Sequence, residues 1–327
     1  MCGIFGYIGS KPDTIKLIFE GLKTLEYRGY DSWGIAVKIE NNKLRVEKNV
    51  GKLPDKILNP QFLALNSTLG IGHTRWATHG GVTVGNAHPH LDCTGQIAVI
   101  HNGIVENFQE LRTELLNKKH QFVSETDTEV IAHLLEENLK TGKSFTEAMR
   151  LTFNRLHGLN AVLALNSNSH EIVAAKNGSP LLVGIGEKGE YFLASDATGL
   201  IKHTKQVIFL EDHQMVTLGT ELKMYALPEG KEIKPKINLL DWDFEDSQKG
   251  KYPHFIIKEI YEQPRVIENI ALTYAAQTKQ LAELIKNAFG TFMVGCGTAS
   301  YAALAGTYLF SNIAKKHLNF ALGSEFN

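Results

Sequence analysis

Between residue 3 and about residue 220 the chain is built from short apolar runs, GIFGYIG, GIAVKIE, QIAVIHNG, NAVLALN and EIVAAK among them, with few helical stretches between. Strand-length runs without regular strand–helix alternation do not make a doubly wound parallel sheet. They predict an α+β arrangement, helices layered against sheets. Residues 127–140, DTEVIAHLLEENLK, read as an amphipathic helix with Val130, Ile131, Leu134, Leu135 and Leu139 on one face. Thr126, three residues before Glu129, is expected to open that helix as a capping box.

The pattern changes at residues 226–250, where charges, prolines and glycine gather and periodicity is lost. This segment is expected to connect two domains. Beyond it come a long helical stretch from about His254, broken at Pro264, then a strand (TFMVG), a turn (CGTAS) and a helix with Tyr301, Leu304, Ala305, Tyr308 and Leu309 on one stripe. A last strand, LNFALG, completes a strand–turn–helix–strand unit, the opening of a parallel α/β domain. About 75 residues of such a domain do not bury a full core. The expected division is therefore residues 2–222, a linker at 223–253, and part of a second domain at 254–327.

At 327 residues, about two domains are expected. A net charge of −1 gives no reason to expect a nucleic-acid or membrane partner, and no apolar run approaches membrane-spanning length. MCGIFGYIGS has no basic stretch before its apolar residues, unlike a secretion signal. Three scattered cysteines, Cys2, Cys93 and Cys296, form no disulfide framework and fit a reducing cytoplasm. Cys93 and Cys296 have no base near them in sequence and are expected to be inert packing thiols. His73, His79, His88, His90 and Cys93 match no zinc-binding spacing, so no metal or cofactor is expected.

Four segments carry chemistry. Cys2, exposed by loss of Met1, would hold a thiol and an α-amino base on one residue, the N-terminal nucleophile arrangement. Alone, a Met-Cys start is equally a buried strand residue. GIGHTRWATHGG (70–81) offers Arg75, whose planar fork suits a carboxylate, although an isolated arginine is by default a surface ion pair. HNGIVEN (101–107) offers the Asn102 side-chain amide and the Gly103 backbone N–H as an oxyanion hole; a plain Asn-Gly turn is the alternative. In SETDTEV (124–130), Asp127 either pairs with a substrate ammonium or merely favours the helix dipole.

Taken in order, CGIFGYIG, GLKTLEYRGYDSWGIA, HTRWATHG, NAHPH, HNGIVEN and SETDTEVIAHL resemble the class II glutamine amidotransferases across residues 2–220. The resemblance implies a four-layer αββα N-terminal nucleophile hydrolase fold. It also implies that Cys2 attacks the glutamine amide, that Asn102 and Gly103 hold the oxyanion, and that Arg75, Thr78 and His79 grip the α-carboxylate. Asp127 would hold the ammonium, Trp76 would gate an ammonia channel, and His88 would lie near the glutamine-site loop. Downstream, HFIIKEIYEQP and GCGTAS resemble those members whose second half consists of sugar-isomerase (SIS) domains and which convert fructose 6-phosphate to glucosamine 6-phosphate, as homodimers when full length. Thr298 and Ser300 become the sugar-phosphate candidates, at a helix N-terminus suited to phosphate. Ala299 stands where the family usually has serine, and later phosphate and isomerase segments are not in the chain, so sugar chemistry by this chain alone is not expected. Three rival expectations stand beside this one: another acceptor such as phosphoribosyl pyrophosphate or aspartate, a non-catalytic glutamine or sugar-phosphate sensor, and a regulator that acts by pairing with a full-length subunit.

Overall fold

Every residue of β1 (Gly3–Ile8) is buried, so this strand has no solvent face. Phe5 and Tyr7 project to one side, into a core shared with Ile15, Ile18 and Leu22. Ile4 and Ile8 project to the other, into a core shared with Ala98, Ile100 and Leu163. The period of two is intact but both faces are covered, which is why the segment reads as an unbroken apolar run.

The structure is a computed structural model and describes residues 2–56, 59–241 and 250–326. The chain divides into two units, 1–248 and 249–327. In the first unit β1 is followed by α1 (Thr14–Leu25), β2 (Ser32–Ile39), β3 (Lys43–Val50), α2 (Pro60–Leu63), β4 (Leu69–Arg75), β5 (His90–Leu91) and β6 (Ile97–Gly103). Three helices come next, α3 (Phe108–Asn117), α4 (Glu129–Lys140) and α5 (Phe145–Phe153). The remaining strands are β7 (Asn160–Asn166), β8 (Ile172–Asn177), β9 (Leu182–Ile185), β10 (Tyr191–Ala194) and β11 (Gln206–Phe209). They continue with β12 (Gln214–Leu218), β13 (Leu222–Ala226), β14 (Lys231–Ile233) and β15 (Asn238–Leu239).

These strands form an eight-stranded sheet, β15-β11-β9-β10-β1-β4-β2-β3, and a seven-stranded sheet, β14-β13-β12-β8-β7-β6-β5. Three apolar cores mark four layers. α1 packs on the outer face of the first sheet, the two sheets pack on each other, and α3, α4 and α5 cover the second. In β7, Ala161, Leu163 and Leu165 face the other sheet while Val162 and Ala164 face the helices. Each such leucine contributes about 1.5–3 kcal/mol by its burial. α1 sits close to its sheet because Gly72 lacks a side chain: a Cβ there would lie 2.4 Å from Ile18 Cγ2. The expected αββα layering is thus the observed one.

Two expectations need correcting. The charged segment 226–250 is not simply a linker: β13 and β14 extend the seven-stranded sheet, β15 pairs with β11, and Leu240 is buried. β14 (KEI) and β15 (NL) lie at the edges of their sheets and are too short or too charged to show an apolar alternation. Residues 242–249 lie outside the described residues. The capping box is also absent. α4 starts at Glu129 after Thr128, and the Thr126 hydroxyl is taken by His90 Nε2 and the Ser124 hydroxyl, each at 3.0 Å. The Glu129 carboxylate instead receives the Val123 and Ser124 backbone N–H groups at 2.8 and 2.7 Å. The apolar stripe is as expected, with Val130, Ile131, Leu134 and Leu135 buried and Leu139 partly so.

The second unit holds α6 (Phe255–Thr273), α7 (Ala275–Asn287), β16 (Phe292–Gly295), α8 (Thr298–Leu309) and β17 (Asn319–Leu322). β16 and β17 pair in parallel, as the strand–helix–strand reading requires. α6 runs unbroken through Pro264, contrary to the expected interruption. The stripe on α8 is exposed: Tyr301 is 73% and Tyr308 64% accessible. Among the described residues, only Ala303 and Leu318 of this unit are buried hydrophobics. No described helix is long and apolar enough to cross a membrane.

Candidate active site

Three strand ends converge at one cavity of about 440 Å³ in the first unit. Cys2 stands at the start of β1, Arg75 at the end of β4 and Asn102–Gly103 at the end of β6. The first two belong to one sheet and the third to the other, so the stacked sheets bring them together.

Half-buried Cys2 is held by its backbone. Its carbonyl accepts Asn102 Nδ2 at 2.9 Å and Arg28 Nε at 3.3 Å, with the Ser195 hydroxyl at 3.5 Å. Gly3 N–H donates to Thr74 Oγ1 at 3.2 Å, and Ile4 N–H to Ser195 Oγ at 3.0 Å. Cys2 Sγ receives the Trp76 backbone N–H at 3.2 Å. Burial pushes the thiol upward, partly offset by that amide and by the charges of the amino terminus, Arg75 and Arg28. A sulfur so placed needs a base to become a nucleophile.

The orientation of Asn102 follows from its neighbour. His73 Nε2 lies 3.0 Å from Asn102 Oδ1 and 3.1 Å from the His101 carbonyl. Both are acceptors, so Nε2 carries the proton, and Asn102 turns its NH₂ toward Cys2. Burial lowers His73 to about pKa 3, which keeps the ring neutral. His88 stacks on it at 4.2 Å and is also held well below the ordinary range by burial. His101 bridges Thr128 Oγ1 at 2.9 Å and Asn160 Oδ1 at 2.8 Å. Gly103 takes φ +133°, and a Cβ there would stand 2.1 Å from the Leu159 carbonyl oxygen. Only glycine fits.

Arg75 is 4% exposed, and its fork does not face the cavity freely. Its Nη groups donate to the carbonyls of His79, Gly80 and Gly81, the last two at 3.2 Å, so three of its five N–H groups hold the following loop. Asp127 receives the Val105 backbone N–H at 2.7 Å. Trp76 is half exposed, its ring 5.5 Å from that of Tyr30. Thr78, His79 and His88 join Cys2, Arg75, Trp76, Asn102, Gly103 and Asp127 on the cavity wall, so all the candidates of the first unit share one space.

Sequence reasoning passed over Arg28, His101 and Ser195, and weighed His73 only as a metal ligand. Arg28 lies in TLEYRGYDS and was open to notice; it also pairs with Asp196 at 3.0 Å. Ser195 had no local signal. In the second unit Gly297 takes φ +57° at the head of α8. Thr298 is exposed, while buried Ser300 donates its hydroxyl to the Gly297 carbonyl at 2.6 Å.

Residues 73–202 match the glutamine amidotransferase domain family. The chain is 44% identical over 317 residues to glutamine–fructose-6-phosphate aminotransferase (isomerizing) of Pyrococcus horikoshii, covering 96% of this chain and 52% of that protein. Residues 73–202 are a glutamine amidotransferase domain. It is likewise 44% identical to the Thermus thermophilus protein of the same name, over all of this chain and 54% of that one. The chain spans about half the length of the curated relatives it matches. Its fold is similar to that of glutamine phosphoribosylpyrophosphate amidotransferase from B. subtilis complexed with ADP and GMP. The TM-score is 0.61 at 20% identity, covering 98% of this chain and 66% of that one.

Proposed function

We propose that this chain hydrolyses glutamine to glutamate and ammonia, as the amide-donating half of an enzyme that converts fructose 6-phosphate and glutamine to glucosamine 6-phosphate and glutamate. One observation carries the glutaminase reading: Cys2 Sγ, the Asn102 amide, the Arg75 guanidinium and the Asp127 carboxylate line a single cavity large enough for an amino acid.

With Met1 removed, the Cys2 amine takes the thiol proton and the sulfur attacks the side-chain carbonyl carbon of glutamine. The oxygen that gains charge is stabilised by Asn102 Nδ2 and the Gly103 N–H. Collapse returns the proton to the departing nitrogen, releasing ammonia and leaving a γ-glutamyl thioester. Water, activated by the same amine, then cleaves the thioester to glutamate and regenerates the thiol. Arg75, Thr78 and His79 take the α-carboxylate and Asp127 the ammonium. With both Nη2 hydrogens on the loop, Arg75 keeps one Nη1 hydrogen and Nε–H, so it reaches the carboxylate through a single hydrogen bond unless the loop lets go. Trp76, beside the sulfur at the rim, gates ammonia, and His88 lines the glutamine end.

For the second unit the reading is the start of a SIS domain whose Gly295–Ser300 turn offers backbone N–H groups and the Thr298 hydroxyl to phosphate. Its support is the 44% identity to fructose-6-phosphate aminotransferases, which extends through this region. Residues absent from this chain supply the remaining sugar chemistry, in a cytoplasmic homodimer. The deciding assay is ammonia release from glutamine by the purified chain, with intact mass to show loss of Met1. Cys2→Ala is expected to abolish release, and unchanged turnover in that variant would refute the assignment.

A further inference from the structure

On the far side of α4, four potential ligands from three stretches of chain converge. They are Cys93 from the β5–β6 loop, His120 from the α3–α4 connection, and His133 and Glu136 from α4. The last three are buried, whereas Cys93 is exposed. This overturns the expectation that Cys93 is an inert packing thiol with no base near it. Its sulfur lies 3.5 Å from both His120 Nδ1 and His133 Nδ1.

The protons in this cluster do not add up. His120 Nε2 meets Glu137 Oε1 at 2.9 Å, and a carboxylate only accepts, so Nε2 carries the hydrogen. His133 Nε2 is buried without a hydrogen-bond partner, Glu129 Oε1 standing 3.6 Å away. His120 Nδ1 is then a bare lone pair, and it faces His133 Nδ1 at 3.2 Å. Glu136 Oε2, a further acceptor, stands 3.1 Å from one and 3.4 Å from the other. With both rings neutral, these four atoms carry at most two protons, the thiol's and one on His133 Nδ1. A cation at their centre turns four opposed lone pairs into ligands.

The spacings fit one. Tetrahedral zinc, with Zn–N about 2.0–2.1 Å and Zn–S about 2.3 Å, sets its N and O ligands about 3.3 Å apart and sulfur about 3.5 Å from nitrogen. The observed N–N and N–O values are 3.1–3.4 Å and the two S–N values 3.5 Å, with all four ligand atoms within 4.8 Å of one another. The outer contacts are those of a metal centre too: the Glu137 carboxylate bonded to His120 Nε2, and the Gln121 N–H donating to Cys93 Sγ at 3.4 Å. The Cys93 N–H and Lys140 Nζ bind the Glu136 carboxylate at 3.1 and 2.8 Å. We propose that Cys93, His120, His133 and Glu136 bind a structural zinc ion that ties the β5–β6 and α3–α4 connections to α4. Thiolate and carboxylate neutralise its charge, and four protein ligands leave it no substrate position. The site is separate from the glutaminase cavity, and its test does not depend on that reading.

The experiment uses the whole chain, stripped with a chelator and titrated with cobalt(II) as a spectroscopic stand-in for zinc. Visible ligand-field bands and a thiolate charge-transfer band are expected to saturate at about one equivalent. A Cys2→Ala, Cys296→Ala chain, in which Cys93 is the remaining thiol, should keep both features, and Cys93→Ser should lose the charge-transfer band. His120→Gln should weaken metal binding at least tenfold. Zinc should raise the melting temperature of the stripped wild type. A wild type with no saturable cobalt spectrum and no thermal response to zinc would overturn the proposal. So would loss of the charge-transfer band when Cys93 alone is retained.

Discussion

Neutral His73 donates its one ring proton to the His101 carbonyl and to Asn102 Oδ1, leaving the Asn102 NH₂ on the side of Cys2. Asn102→Ala removes that donor, and the rate of ammonia release should fall about 10²- to 10³-fold with little change in KM. A loss below tenfold would take Asn102 out of the oxyanion role. Arg75→Lys keeps the charge but loses the fork that spans His79, Gly80 and Gly81. KM for glutamine should rise at least tenfold, about 1.4 kcal/mol, and the melting temperature should fall too because loop carbonyls lose their donors; an unchanged KM in a folded Arg75→Lys chain would count against the carboxylate role. His73, His88 and His101 are all held below their ordinary pKa by burial. The unfolded chain therefore takes up protons from about pH 6.5 downward, while folded His73 resists to about 3. Stability should be full above pH 7 and fall through this window, by about 1.4 kcal/mol per pH unit for His73 alone. Melting curves between pH 7 and pH 4 test this, and a flat midpoint would contradict it. Asn102 and Gly103 were legible because an Asn-Gly pair closed an apolar strand. The work of His73 was not, since it rests on a tautomer that only its two acceptors reveal. Cys93, His120, His133 and Glu136 were equally hidden, because distant loops supply them.

At the scale of elements, apolar runs buried on both faces announced the central strands, and edge strands escaped notice. β14 (KEI) is charged and paired with β13 along one edge alone, so the segment reads as a connection although it belongs to the sheet. The capping box misled for another reason: Thr126 was the right type at the right spacing, but His90 competed for its hydroxyl. The end of β6 depends on backbone that one residue type supplies. Gly103→Ala sets a methyl group against the Leu159 carbonyl at positive φ. It should lower stability by at least about 1–3 kcal/mol as well as remove activity, which thermal denaturation beside the ammonia assay would show. A fully stable, active Gly103→Ala chain would mean that this strand end can rearrange.

For the molecule as a whole, the two units differ in what they bury. The first has three apolar cores, whereas the described part of the second buries Ala303 and Leu318. A chain of residues 1–248 should therefore unfold cooperatively and retain ammonia release, while residues 249–327 alone should show no sharp melting transition. Calorimetry of the two fragments tests both statements. Cys2 begins a strand of one sheet and Asn102 ends a strand of the other, so neither sheet alone assembles the reaction centre. In a refolding time course, turnover should lag the far-ultraviolet signal of the strands and keep pace with burial of Ile100 and Leu163 between them, making enzymatic activity a clock for the moment the sheets dock.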